Sequence, residues 1–73
     1  MEYVIVAFPT DRLVYIDGEK NGSTNIVLKV DAGTHEFDLG PVANYRPASR
    51  EVTLKGTTSL EPREIAFFRK DGE

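Results

Sequence analysis

Thr34-His35-Glu36-Phe37-Asp38-Leu39 decides the fold. Its side chains alternate. His35, Phe37 and Leu39 fall on one side, and Thr34, Glu36 and Asp38 on the other. Successive side chains of an extended strand point to opposite faces, so this pattern writes a strand with one dry and one wet face. A helix would scatter the same apolar residues around its circumference. Working outward, Val52 and Leu54 alternate with Glu51, Thr53 and Lys55. Ile26, Leu28 and Val30 share a face opposite Val27 and Lys29. Tyr3–Phe8, Leu13–Ile16 and Ile65–Phe68 are apolar on both faces, which two-sided burial or a covering loop would explain.

The breaks between these runs are turn chemistry. Pro9-Thr10-Asp11 ends the first run. Asp17-Gly18-Glu19-Lys20-Asn21-Gly22 reads as one tight reversal, because Asp-Gly and Asn-Gly steps tolerate the positive φ that such turns need. Asp31-Ala32-Gly33, Gly40-Pro41, Arg46-Pro47, Lys55-Gly56 and Glu61-Pro62 punctuate the rest. No stretch has helical periodicity. The expectation is an all-β fold, a small sandwich of about six to seven short, mainly antiparallel strands. Asp71-Gly72-Glu73 reads as a frayed tail.

Size and charge bound the function. The chain has 73 residues, enough for a single domain spanning 1–73. A domain of this size buries only about 60% of the surface its unfolded chain exposes. Its core is therefore thin, and a deep substrate chamber would consume much of it. Size alone thus favours a non-catalytic protein. There is no cysteine, which removes disulfides and thiolate chemistry. The net charge of −3 and the scattering of the nine Lys and Arg residues argue against nucleic acid, whose phosphates call for clustered cations. No apolar run reaches the roughly 20 residues of a membrane span. Met1–Phe8 is short, lacks a basic leader, and reads as a strand rather than a signal peptide. The compartment is not readable from the sequence.

The order of turn and strand signals has a known counterpart. Val14-Tyr15-Ile16-Asp17-Gly18 leads to Asn21-Gly22-Ser23-Thr24. Ile26–Val30, Asp31-Ala32-Gly33-Thr34-His35, Asn44-Tyr45-Arg46-Pro47 and Arg50–Leu54 follow in turn. From about Val4 to Phe68 this resembles the PEGA domain. Against the family pattern, Asn25 stands in place of a proline, Asp31 in place of the first proline of the naming turn, and Asn44 in place of a glycine. Gly40-Pro41-Val42-Ala43 lengthens the link from Phe37 to Tyr45. The resemblance implies a β-sandwich of prokaryotic type, often joined to other domains in surface or signalling proteins. It implies a non-catalytic binding or spacer role, with no catalytic residues to carry over.

Candidate chemistry was weighed against plainer readings. His35 is the single histidine. It shares a face with Phe37 and Leu39, which places it at the core edge beside a hydrogen-bonding partner. One histidine and no cysteine leave no zinc site. Asp17, Glu19, Asp31, Glu36 and Asp38 lack the loop spacing that gathers calcium's six to eight or so oxygens. The hydroxyls of Ser23, Thr24, Ser49, Thr57, Thr58 and Ser59 have no paired base, and no cofactor motif is present. Tyr45 most simply plugs the sandwich, its hydroxyl reaching water or a partner. With Asn44 and Arg46 beside it, and Asp17, Glu19 and Asn21 in the reversal, it also forms the candidate binding set. The expected partner is a protein, or a second copy, meeting an edge strand. The first and last runs are the apolar candidates for that contact. A glycan or cell-surface polymer is the alternative.

Overall fold

The computed structural model of the chain describes residues 1–70, so the tail reading at Asp71-Gly72-Glu73 lies outside the described residues. Nine strands follow one another: β1 Glu2–Ala7, β2 Leu13–Ile16, β3 Glu19–Ser23, β4 Val27–Val30, β5 Gly33–Asp38, β6 Tyr45–Arg46, β7 Arg50–Leu54, β8 Arg63–Ala66 and β9 Phe68–Arg69. Seven of them are four residues or longer. They form a three-stranded sheet ordered β4-β1-β8, a four-stranded sheet ordered β3-β2-β5-β7, and a β6-β9 ribbon. All pairings are antiparallel except β1 with β8.

The alternation read from the sequence sets which side chains meet. Val4, Val6, Phe8, Leu28, Val30 and Ile65 from the first sheet face Val14, Ile16, Phe37, Leu39, Val52 and Leu54 from the second. Each such side chain contributes roughly 1.5–3 kcal/mol when fully buried. The molecule measures only 16 Å along its shortest axis. Sheets stack about 10 Å apart, so a single layer of side chains fills the space between them.

Three readings are corrected. The reversal at 17–22 is shorter than its glycines suggested. Asp17 and Gly18 have φ of 54° and 84° and join Ile16 to Glu19, as a two-residue type I′ turn requires. Glu19–Ser23 is then the edge strand β3. Gly22 sits inside it, where a Cβ would lie 2.6 Å from Leu28 Cδ2. Ile26 precedes β4 and is exposed, although it shares a parity with the buried Leu28 and Val30. The first run is not an edge. Val4–Ala7 pair in parallel with Arg63–Ala66, which places β1 between two neighbours.

The last run changes partner midway. The amide of Phe67 donates to the carbonyl of Ala7 at 3.0 Å, and the Phe67 ring is buried. Phe68–Arg69 then pair with Arg46 and Tyr45. Elsewhere, two polar residues stitch the sheet crossings. Thr24 is buried, accepts from the Arg12 amide at 2.9 Å and donates to the Thr10 carbonyl at 3.0 Å. The Asn25 carboxamide takes the Phe8 amide at 3.2 Å and donates to the Phe8 carbonyl at 2.9 Å. Asn25 has φ of 67°, which proline's ring forbids. The proline that the resemblance leads one to expect at this position could not take that backbone conformation.

One rung works against the fold. Glu36 lies directly opposite Glu51 on the outer face of the second sheet, and both are exposed. Glu51→Lys replaces a like-charge pair with an opposite one. Urea denaturation is expected to show stabilisation of about 0.2–1 kcal/mol, shrinking as salt is added.

Candidate functional site

The residues singled out from the sequence do not come together. Asp17, Glu19 and Asn21 line one open hollow of about 460 Å³, with His35, Asp31 and Lys29. Asn44 lines a different one of about 430 Å³, with Arg12, Leu13, Tyr15 and Val42. Tyr45 is only 7% exposed, and its hydroxyl donates to the Gly40 carbonyl at 2.8 Å rather than reaching a partner. Its ring meets Phe67 and Phe8 edge-on, at 5.7 and 6.5 Å. Tyr45 is therefore a core plug. Arg46 is exposed and pairs through its backbone with Phe68, outside both hollows.

In the first hollow His35 ties two turns together. Its Nδ1 lies 2.6 Å from Asp17 Oδ2 and its Nε2 lies 2.7 Å from the Asp31 carbonyl. Asp17 Oδ1 also accepts from the Glu36 amide at 2.9 Å. Both ring nitrogens face oxygen acceptors, and only the protonated ring can donate to both. The Asp17 hydrogen bond, then the Asp31 carbonyl, raise the His35 pKa above its ordinary 6.5. The same contact, then the Glu36 amide, lowers that of Asp17 below 3.8. Among the described residues no group of three His, Asp or Glu side chains could hold a metal ion.

The second hollow is organised by a residue that the sequence did not flag. Arg12 Nη1 donates to Asn44 Oδ1 at 2.7 Å, and Nη2 points at the carbonyls of Val42, Pro41 and Leu39 at 3.0, 3.1 and 3.2 Å. The guanidinium also lies over the rings of Tyr45 and Phe8, at 5.2 and 5.7 Å. Val42 is held at φ of 66°, a strained value for a β-branched residue. Its carbonyl accepts from both Arg12 and the Asn44 amide. No local motif announces this cluster, because its acceptors lie far along the chain from Arg12.

The two outer faces differ in chemistry. On the second sheet β5 and β7 turn polar residues outward, Thr34, Glu36, Asp38, Glu51 and Thr53, whereas β2 turns Tyr15 and the 46% exposed Leu13 to the same face. On the first sheet they are Tyr3, Ile5 and Ala7, flanked by Val27 and Ala66, with Lys29 and Glu64 the charges beside them. The edges differ as well. Edge strands avoid stray pairing through charges, proline or bulges. β3 carries Glu19 and Lys20 and pairs through an irregular register. β7 carries Arg50 and Glu51. β8 follows Pro62, carries Arg63 and Glu64, and has its Ala66 carbonyl taken by Arg50 Nη1 at 3.1 Å. β4 has only Lys29, and its Val27 is 44% exposed beside Ile26 at 52%.

These features define a small all-β module whose polar clusters brace turns and whose three-stranded sheet turns an apolar row outward. The family follows from comparison: the model of the PEGA domain matches residues 1–63 of the 73, and the chain belongs to that family. No curated protein and no solved structure matches it.

Two outcomes are expected. The His35 contribution to stability is complete below pH 6.5 and is lost as pH rises through its raised folded pKa. The Asp17 contribution is complete above pH 3.8 and is lost as pH falls through its lowered one. Urea midpoints measured across pH should therefore decline on both sides of that window. His35→Gln should remove the alkaline decline. Separately, Arg12→Lys keeps the charge but loses the fork, and should cost about 1–3 kcal/mol in denaturant unfolding.

Proposed function

We propose that the domain is a non-catalytic binding or assembly module that meets a protein partner through its three-stranded sheet. The observation that supports this is the contrast between the outer faces. The Tyr3-Ile5-Ala7 row and its neighbour Ala66 are apolar and half-buried, with the exposed Val27 beside them, where β5 and β7 of the other sheet turn polar side chains outward. Contiguous exposed apolar surface rimmed by polar residues marks interaction sites. The lightly guarded β4 edge adjoins this row, so a partner's backbone can extend the contact by strand addition. The expectation of an edge-strand contact thus moves from the ends of the chain to β4.

A glycan-binding reading had rested on Tyr45 as a stacking platform. With that ring in the core, a sugar would be left with hydrogen bonds from Asn44, Arg46 and the 17–22 turn, which lie on separate surfaces, so the protein-partner reading has the better support. An enzymatic reading has no better footing. The hollow that contains His35 is open, and its imidazole is committed to two turns.

Photo-crosslinking in the native host tests the proposal. A photoreactive residue replacing Ile5 or Val27 in the intact gene product is expected to give protein adducts, while one replacing Thr53 gives none. Equal labelling of the two faces, or adducts at Thr53 alone, would refute it.

A further inference from the structure

The parallel pairing of β1 with β8 joins the start of the described chain to its end. Val4, Ile5, Val6 and Ala7 lie against Arg63, Glu64, Ile65 and Ala66. Because these strands run the same way, the N-terminal end of β1 and the C-terminal end of β8 leave the sheet in opposite directions. From this geometry we infer that β1 and β8 form a tension-bearing clamp. A pull between the two ends of the domain slides one strand along the other and loads the four rungs together. An opposed pull across a hairpin would instead break its rungs one after another.

Three further features resist sliding. β1 is held on its other side by β4, through four antiparallel rungs from Glu2 to Ile5, so the pulled strand must shear against two neighbours. The side chains lock the register. Val4, Val6 and Ile65 are fully buried, and a one-residue slip turns every side chain to the opposite face. Such a slip would drive Glu64 towards the core and Ile65 into water. The ends are also tied. The Tyr3 amide donates to Thr57 Oγ1 at 2.7 Å, the Thr57 amide donates to Glu2 Oε1 at 2.9 Å, and the Thr57 hydroxyl donates to the same carboxylate. At the other end the buried Phe67 ring follows β8 directly. The β6-β9 ribbon and the Lys70 amide on the Asn44 carbonyl at 3.1 Å lie beyond the clamp. Their rupture passes the load on to β8. The role is mechanical: the module holds its shape while force is transmitted along the chain.

Single-molecule force spectroscopy tests this on the full chain, flanked by marker domains. The chain has no native cysteine, and Leu60, 92% exposed at the turn before β8, accepts a Leu60→Cys handle. Pulling between the N-terminus and the C-terminus loads β1 and β8 in shear. Pulling between the N-terminus and position 60 unzips the same rungs from one end. The unfolding force is expected to be several-fold higher in the first geometry at equal pulling speed. Thr57→Val should lower the end-to-end force. Equal forces in the two geometries, or a higher force for unzipping, would overturn the clamp. Neither result bears on which surface binds a partner.

Discussion

One layer of side chains, shared by two sheets, is the constraint on which the molecule depends. With a shortest dimension of 16 Å, the two sheets have one shared layer and no second shell of apolar packing behind it. Local order must then come from polar groups at the rims. Thr24 and Asn25 stitch the crossings, Arg12 gathers the carbonyls of the 39–42 loop, and His35 and Asp17 hold the turns at the opposite hollow. Arg12 and His35 are half-buried, where a hydrogen bond is partly shielded from competing water without the full cost of burying charge. The same thinness leaves the protein's chemistry on its outer surfaces.

The sequence showed most clearly what depends on neighbours within a strand. β5 and β7 could be read residue by residue, because one face of each is wet and the other dry. It showed least where distant residues decide. β3 has no apolar alternation, since both of its faces are exposed. It is a strand because the Asp17-Gly18 turn folds it onto β2. The interior position of β1 follows from pairing with residues almost sixty positions away, and its two apolar faces gave that sign without its meaning. For the candidate site, side-chain type was legible but convergence was not. Asp17, Glu19 and Asn21 share a hollow, whereas Asn44, Tyr45 and Arg46 divide among a second hollow, the core and open surface. Consecutive residues in a strand point in opposite directions, so Tyr45 turns into the core where Arg46 turns out, and Asn44 lies in the loop before β6.

The polar clusters that first resemble sites also have structural work that explains their composition. The His35 imidazole satisfies two oxygens that would otherwise compete for water at the meeting of two turns. The Arg12 guanidinium neutralises a concentration of carbonyl dipoles that the strained Val42 backbone brings together. The outer face of the β4-β1-β8 sheet, by contrast, carries half-buried apolar side chains in place of such polar braces.

The partnership of β1 and β8 also bears on how the protein is made. Synthesis proceeds from the N-terminus at about 5–20 residues per second. The strand finished first therefore waits for the strand finished last before its second edge is covered. Until residues 63–66 emerge from the ribosome, Val4 and Val6 lack the neighbour that closes their sheet, and the nascent chain carries an apolar, half-paired ribbon. Completion of the fold is consequently a late, all-at-once event, and a chain truncated before β8 would be a natural target for chaperones and proteases.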